Sequence, residues 1–289
     1  MIPTMEPGSG LDLHLHSDYS DGVLTPAALM ALVAARGVGL AALTDHDTLA
    51  GCDEARRACE PLGLRFVAGV EVTASWRAQE LHVIGLAPRE DDSALAAHLK
   101  DIRARRRQRL IAIGERLTQR GALPVQPLIE TLLQQYDDAG GRAPTRLHLA
   151  RALVAAGHAR DVGDAFDHWL SRGTPGHVPH EWPTLSQTLE VLRSANAVAV
   201  LAHPHRYKLS AGALRQLVEE FGAAGGAALE VSVGGMARHD LDRLATLARR
   251  HGLAASVGSD FHDPALPWNP PGRFAKLPDD LEPVTARLR

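Results

Sequence analysis

The chain has 289 residues, 45% of them hydrophobic, with 31 basic side chains against 34 acidic ones. This composition can build a packed core and excludes a disordered chain, while the net charge of −3 disfavours binding of nucleic acid over the whole surface. No uninterrupted apolar run reaches about 18 residues, and residues 1–10 lack the basic and apolar regions of a signal peptide. We therefore expect a soluble, cytoplasmic protein that makes no membrane contact.

The chain contains only two cysteines, Cys52 and Cys59, but 15 histidines. Two cysteines on one predicted helix exclude a disulfide framework and a zinc site built from thiolates. The histidine content is high for a chain of this length. We therefore expect any bound metal ion to be held by imidazole and carboxylate groups.

Short apolar runs alternate with helical patterns over most of the chain. The runs predict strands at 11–15, 39–43, 65–70, 81–86, 198–202, 229–233 and 254–257. The helical patterns between them predict helices at 26–36, 52–62, 185–195, 213–223 and 236–251. Strand and helix in alternation indicate right-handed crossovers and a parallel α/β sheet, which with about seven strands can close into a barrel.

One long segment, residues 94–183, interrupts this alternation. It shows helical patterns at 95–120, 127–135, 145–156 and 162–171 and no convincing strand. We predict an all-helical insertion between the fourth and fifth strands. The barrel domain then comprises residues 1–93 and 184–289, and the insertion at 94–183 is a lid or substrate domain.

The first predicted strand carries two histidines, His14 and His16, on one face, because alternate residues of a strand point to the same side. Two neighbouring imidazoles suit one metal ion. The alternative is a pair of half-exposed strand histidines without a ligand. Further histidines and acids lie at or near the ends of the other predicted strands, mostly the carboxyl ends, where barrel enzymes gather their functional groups.

These clusters contain Asp45 and His46 after the second strand, Glu71 after the third, His82 in the fourth, His203 and His205 after the fifth, and Asp260 and His262 after the seventh. A bridging carboxylate can hold two cations close together, and a water shared between them loses its proton easily. Mixed imidazole and carboxylate donors suit Mn, Fe, Zn or Mg.

The motifs LDLHLHSDYSDG, TDHD, GVE, ELHVIG, LAHPHRY and GSDFH follow one another along the chain. In this order they resemble the PHP superfamily, named for polymerase and histidinol phosphatase domains. The resemblance implies a distorted (β/α)7 barrel of PHP type that holds two or three divalent ions, commonly manganese, zinc or iron. It also implies an enzyme that hydrolyses phosphoesters.

The resemblance assigns ligands motif by motif. One metal would take His14, His16, Glu71 and Asp260; a second would take Glu71 as a bridge with His82 and His203; a third would take Asp21, His46 and His262. Manganese is the first expectation, with zinc, iron or magnesium as alternatives. Some relatives with three metals supply a histidine near the position of Asp21, and an ordinary Asp-Gly turn is the alternative interpretation of that residue.

The predicted insertion and the segment after the fifth strand carry a second resemblance, in APTRLHLAR, WLSRG, VPHEWP and HRY. These motifs are similar to the PHP subfamily of 3′,5′-nucleotide bisphosphate phosphatases and a 5′-to-3′ exoribonuclease. The similarity implies that the substrate is adenosine 3′,5′-bisphosphate, whose 3′-phosphate is removed to give AMP. A substrate with two anions needs a second cationic site besides the metals, for which arginine is well suited.

We expect this substrate to contact side chains from three parts of the chain: Tyr19, Arg146, His148, Arg206, Tyr207 and Lys208. For Arg146 the alternative is a surface salt bridge.

In the expected mechanism a hydroxide bridging two metals attacks phosphorus, Asp260 manages its proton, and His205 donates a proton to the leaving oxygen or contacts phosphate. Asp45 would orient a ligand histidine. We interpret the basic run at 100–109 as a solvated helix face rather than a surface that steers phosphate.

Three other functions compete with this one. A 5′-to-3′ exoribonuclease on short 5′-phosphorylated RNA would use the same metals, and histidinol-phosphate phosphatase would not need the second cationic site. A metal-binding regulatory module without activity is the third, and the complete set of candidate ligands argues against it. The motifs imply a small nucleotide substrate, or short RNA, and no protein partner.

Overall fold

The computed structural model describes residues 10–120, 123–137, 139–179, 181–265 and 269–288. Its seven strands lie side by side in chain order. They are β1 Gly10–Asp12, β2 Val38–Leu43, β3 Arg65–Trp76, β4 Gln79–Leu86, β5 Val198–Leu201, β6 Ala228–Val233 and β7 Ala254–Gly258. The chain just after β1 returns to β7, because Leu13 N–H donates to Val257 O at 3.2 Å and Leu15 bridges Phe261. The sheet is thus nearly closed, which confirms the predicted seven-stranded barrel.

The prediction of an all-parallel sheet was wrong at one strand. β4 runs antiparallel to both β3 and β5, whereas the other neighbouring pairs are parallel. The cause is the link between β3 and β4, which consists of Arg77 and Ala78, both with left-handed backbone at φ 47° and 63°. A two-residue turn of this kind makes a hairpin, since a parallel connection needs a much longer crossover. The start of β4 therefore lies beside the end of β3.

Nine α-helices in the described residues surround and extend the barrel. They are α1 Pro26–Ala35, α2 Cys52–Cys59, α3 Ser93–Gln119, α4 Gln126–Gln135, α5 Arg146–Ala155, α6 Val162–Ala165, α7 Leu185–Ser194, α8 Ala211–Ala223 and α9 Arg238–His251. A π-helical turn at Phe166–Leu170 continues α6, and 3₁₀ turns lie at Glu60–Leu62, Pro204–Arg206 and Val284–Arg287. The described residues between β4 and β5 contain only helices and loops, as predicted for the insertion.

The helix α3 belongs to two hydrophobic cores. Leu99 and Ile102 in its first half are buried against the barrel strands and α7, whereas Ile113 and Leu117 in its second half are buried against α4 and α5. A separate small core includes Leu13 and Val200 together with Ala228 of β6 and Ala254 of β7. Because α3 joins the two bodies, the domain boundary at residue 94 stays a prediction.

Candidate metal centre

Four ligand atoms lie together at the mouth of the barrel: Nε2 of His14, Nε2 of His16, Oε2 of Glu71 and Oδ1 of Asp260. Five of the separations between them are 3.0, 3.2, 3.3, 3.3 and 3.4 Å. Metal–ligand bonds of about 2.0–2.1 Å in a tetrahedron require ligand atoms to be roughly 3.3–3.4 Å apart. Each of the five separations therefore suits a pair of atoms that bind the same metal ion, with Asp260 and Glu71 each close to both histidines.

A network of buried acids holds the first histidines in place. Asp12, at the end of β1, accepts hydrogen bonds from the backbone N–H of Ser259 at 2.9 Å and of Gly272 at 2.8 Å, so it ties β1 to the segment after β7. Gly258 allows this close approach, because a Cβ there would lie 2.3 Å from the Cβ of His14. Burial raises the pKa of Asp12 to about 6. Asp12 was not singled out in the sequence.

Glu230 is the second buried acid that sequence reasoning missed. His14 donates from Nδ1 to Glu230 Oε1 at 2.8 Å, and the backbone N–H of His203 donates to Oε2 at 2.6 Å. This bond keeps a proton of His14 on Nδ1, so Nε2 is the nitrogen that could bind a metal ion. The available signal was a lone acid in the fully buried strand β6, ALEVSV.

A second group of ligand atoms forms on the other oxygen of Glu71. Its Oε1 lies 2.9 Å from Nε2 of His203 and 3.1 Å from Nδ1 of His82, and the two nitrogens are 3.4 Å apart. His82 can reach this place because β4 is antiparallel and begins at the mouth. His203 has left-handed backbone at φ 30°. Glu71 thus faces both groups, as predicted for a bridging carboxylate.

The third predicted group is looser. Asp21 Oδ1 lies 3.1 Å from Nε2 of His262, and its Oδ2 lies 3.6 Å from Nε2 of His46.

Asp45 does not contact a ligand histidine directly. It accepts hydrogen bonds from the hydroxyls of Ser17 and Ser20, and the Ser20 hydroxyl lies 3.4 Å from Nδ1 of His16. Asp45 therefore orients His16 through Ser20.

The charges of the centre fit bound cations. Burial opposes ionisation of Glu71, Asp21 and Asp260, yet nearby imidazoles, and Arg206 for Asp260, keep the pKa of each carboxyl well below its usual value. Burial lowers the pKa of His46 and His203. At His14 and His16 the nearby carboxylates outweigh burial and raise the pKa of His14 well above its usual value and that of His16 to about 10. Oε2 of Glu71 and Oδ1 of Asp21 are buried without a hydrogen-bond donor among the described residues. The individual ligand assignments stay a prediction.

The segment after β5 brings Arg206 to the centre, where its Nη1 pairs with Oδ2 of Asp260. His205 lines a cavity beside it, and burial together with the charge of Arg206 lowers the pKa of His205 to about 4. Tyr207 is not available to a substrate through its hydroxyl. That hydroxyl accepts from the N–H of His82 and donates to the carbonyl of Ala202, both at 2.9 Å, so Tyr207 positions the strands. Lys208 is exposed.

The substrate residues predicted in the insertion have protein partners. Arg146 pairs with Glu80 at 3.3 Å, as the alternative interpretation had it, and lies over the ring of Phe166. His148 caps α5, since its Nδ1 accepts from the backbone N–H of Thr145 at 3.0 Å. Its ring stacks on Tyr136 with a centroid separation of 3.9 Å.

Tyr19, another predicted substrate residue, has contacts within the protein. The guanidinium of Arg142 covers the ring of Tyr19 at 4.7 Å, and the carbonyl of Tyr19 accepts from Ala143 N–H at 2.9 Å. The tyrosine therefore joins the barrel to the insertion. His180, in the motif VPHEWP, lies outside the described residues.

The interpretation of the basic run as a solvated helix face was wrong for several of its arginines. Arg106 in α3 donates to Asp47 Oδ2 at 2.6 Å and to the hydroxyl of Thr73 at 2.6 Å. One turn further, Arg109 donates to Glu80 Oε2 at 2.8 Å. Both guanidiniums are about one-tenth exposed, because this face of α3 packs on the barrel mouth. Sequence alone shows the charges but not the distant acids that pair with them.

Comparisons with known proteins identify the family. Residues 12–140 match the model of the PHP domain. A 3′,5′-nucleoside bisphosphate phosphatase of Chromobacterium violaceum is 37% identical over 280 residues, which are 97% of this chain and 96% of the relative. The chain belongs to the PHP domain family. The 5′-3′ exoribonuclease Rnm of Escherichia coli is 40% identical over 275 residues, or 94% of this chain and 92% of the relative.

A solved structure supports the PHP fold of the whole chain. An amidohydrolase from Chromobacterium violaceum, crystallised with sulfate and no metal, superposes with a TM-score of 0.88 at 37% identity. The match covers 96% of this chain and 95% of that one. The family, the subfamily resemblance and the distorted barrel are thereby confirmed. Among the described helices of this PHP protein, none is both long and apolar enough to cross a membrane.

Proposed function

We propose that this protein is a metal-dependent phosphatase that removes the 3′-phosphate of nucleoside 3′,5′-bisphosphates, with AMP as the product of the adenosine substrate. The observation that carries the proposal is the cluster of ligand atoms from His14, His16, Glu71 and Asp260 beside the guanidinium of Arg206. Relatives that are 37% and 40% identical over nearly the full chain carry the names of a nucleoside bisphosphate phosphatase and an exoribonuclease.

The nine predicted ligands would hold two or three ions, of which manganese is our first expectation and zinc, iron or magnesium the alternatives. Such ions would lower the pKa of a shared water and offset the negative charge of a phosphate. The two thiols do not compete for them, because Cys52 and Cys59 are buried in α2 and burial raises the pKa of both. The proposed location is the cytoplasm.

The side chains around the ligands bind and orient the ester. Arg206 has one nitrogen on Asp260, and its half-exposed fork offers the remaining N–H groups to two phosphate oxygens. His205 has a pKa of about 4 and is therefore neutral near pH 7. It serves the leaving oxygen as a neutral hydrogen-bond donor rather than as an imidazolium acid.

A second anion finds positive charge on the insertion. Arg109 and Arg146 share the single carboxylate of Glu80, which leaves an excess of one positive charge. Glu80 is two residues before His82 in β4, so this charge lies next to the metal centre. Burial lowers the pKa of His177, and so do the charges of four arginines: Arg109, Arg116, Arg172 and Arg146. Four arginines therefore lie near this histidine of the insertion. This arrangement supports a substrate with a 5′-phosphate.

The same arrangement supports a second candidate, a 5′-to-3′ exoribonuclease that anchors the 5′-phosphate of short RNA and cuts the adjacent phosphodiester. The relative from Escherichia coli that is 40% identical is named for that activity. The two activities need the same cationic site and the same ligands, and they differ in whether a further nucleotide leaves.

The proposal is tested by phosphate release in the presence of manganese from adenosine 3′,5′-bisphosphate, AMP, histidinol phosphate and a 5′-phosphorylated RNA pentamer. We expect the bisphosphate to have a kcat/KM at least tenfold above that of AMP, since only it engages both charged sites. Arg146→Met should reduce this preference. Arg160→Met is the matched control, because Arg160 is 82% exposed and its guanidinium pairs with Asp164, away from the metal centre's ligands. Equal rates on the bisphosphate and AMP would overturn the proposal.

A further inference from the structure

A cavity of about 460 Å³ opens beside the metal centre. Part of its lining, Asp260, His262 and Arg206, belongs to the centre and its phosphate-binding arginine. The lining also includes Leu147 of α5, Gly234, Gly235 and Asn269. Its volume lies within the range of small-molecule sites, roughly 300–1,000 Å³. An ester whose phosphate lies at Asp260 would extend its organic part into this cavity.

Asn269 provides the cavity with one polar group in a fixed orientation. The side chain is 4% exposed, and its Nδ2 donates to the carbonyl oxygen of Asp260 at 2.7 Å. A carbonyl oxygen can only accept, so this bond decides which end of the amide is nitrogen. The other end, Oδ1, is therefore an acceptor, and it has no donor among the residues that the structure describes.

A buried carbonyl oxygen without a partner costs about 1–3 kcal/mol, and native proteins rarely keep one without a reason. The cost disappears if a ligand supplies the donor. The backbone at Gly234 packs closely against the segment that holds Asn269, because a Cβ there would lie 2.6 Å from the carbonyl oxygen of Ser259 and 2.7 Å from the Cβ of Asn269. Gly235 has φ 73°, a conformation that other residues rarely adopt.

We propose that this cavity is the subsite for the nucleoside part of the substrate and that Oδ1 of Asn269 accepts a hydrogen bond from it. The inference rests on the proposed phosphatase function and names the chemistry that the site selects. The required group is a hydrogen-bond donor close to the reacting phosphate, either the ribose hydroxyl next to the ester or an amino group of the base. A phosphate ester without such a donor leaves Oδ1 buried and unpaired.

The test compares substrates that differ by one donor. Wild type would be assayed with the 3′,5′-bisphosphates of adenosine, 2′-deoxyadenosine and purine riboside, the second lacking the ribose hydroxyl and the third the amino group. We expect kcat/KM to fall roughly tenfold or more for whichever analogue lacks the recognised donor. In Asn269→Ala that preference should disappear, since no acceptor is left.

Two further variants separate recognition from a structural role of Asn269. Asn269→Asp keeps an acceptor at Oδ1 but loses the bond to the carbonyl of Asp260, so its overall rate should fall while the preference among substrates persists. Asn196→Gly is the control, because Asn196 lines a cavity on the opposite side of β5, beside Arg287. It should retain both the rate and the preference.

The outcomes distinguish this inference from the proposed function. Phosphate release from all three bisphosphates at the same relative rates in wild type and Asn269→Ala would overturn the subsite while leaving the phosphatase intact. A uniform loss on all substrates in both Asn269 variants would show that the residue only supports Asp260. No release from any bisphosphate, with a folded and metal-loaded protein, would overturn the phosphatase itself.

Discussion

The metal centre and the insertion use buried charge in opposite ways. At the centre, carboxylate oxygens of Glu71 and Asp260 lie 3.3 and 3.2 Å from Nε2 of His16, an arrangement in which a cation could replace protons between acid and imidazole. Along α3 the arginines already have protein partners, such as Arg106 on Asp47. The charges of the centre are thus arranged for ligands, whereas the arginines along α3 join two parts of the fold.

The largest expected effect comes from removing the carboxylate that both ligand groups share. Glu71→Ala should lose bound metal and nearly all phosphatase activity together, because one side chain serves both groups. Metal content by elemental analysis and kcat measure the two losses. Glu90→Ala, on the surface, is the control. Full activity in a metal-free Glu71→Ala protein would contradict the interpretation of the centre.

The next effect concerns the joint between α3 and the barrel. Arg106→Met leaves Asp47 buried and without its cation, which we expect to cost about 3–5 kcal/mol of unfolding free energy. Urea unfolding measures the loss. Adding Asp47→Asn to that variant should recover part of it, because the unpaired charge is then gone. If Arg106→Met were as stable as wild type, the pair would not hold the insertion.

A smaller effect is expected at Glu230, which touches the centre only through His14 and His203. Glu230→Gln places an amide N–H opposite Nδ1 of His14 and disfavours the tautomer that exposes Nε2. We expect metal affinity to fall by roughly 10–100-fold with the fold retained. Competition with a chelator measures the affinity, and Glu219→Gln on the exposed side of α8 is the control. Unchanged affinity would make Glu230 a structural acid only.

The smallest effect is a pH dependence located in the insertion. Burial lowers the pKa of His148 from 6.5 to about 4, so the folded protein favours the neutral ring. Above pH 6.5 the ring is mostly neutral in the folded and the unfolded protein alike. As the pH falls from 6.5 towards 4, only the unfolded protein binds a proton, so the free energy of unfolding decreases, by about 2 kcal/mol between pH 7 and 5. His148→Gln keeps a capping residue that does not titrate. Its thermal unfolding midpoint should fall less between pH 7 and 5 than that of wild type.

Much of this fold follows from local patterns. Every predicted strand is present, because runs such as the one at β6 are apolar enough to be buried on both faces, and the helices differ from their expected bounds by a few residues. All nine candidate ligands belong to clusters of possible ligand atoms, while their assignment to individual metals stays a prediction. The direction of β4 did not follow, since its turn, Arg77 and Ala78, has none of the residues that usually favour left-handed backbone.

The supporting groups escaped sequence reasoning for another reason. Glu230 and Asp12 act on residues more than two hundred positions away, so no local spacing indicates their partners. The arginines of α3 have the spacing of an exposed face, and only the folded chain shows that Asp47 and Glu80 lie opposite them. Tyr207 was expected at the substrate, but its hydroxyl is occupied by backbone groups of β4 and β5.

The continuous helix α3 has a mechanical consequence. It is anchored in the barrel core at Leu99 and Ile102 and in the insertion core at Ile113 and Leu117, with no break between. Swinging the insertion away from the barrel would require bending this strut and separating Arg106 from Asp47. We therefore expect the barrel and the insertion to move as one rigid body. A nucleotide would then enter through a permanently open cavity beside Arg206, and catalysis would proceed without a closing step.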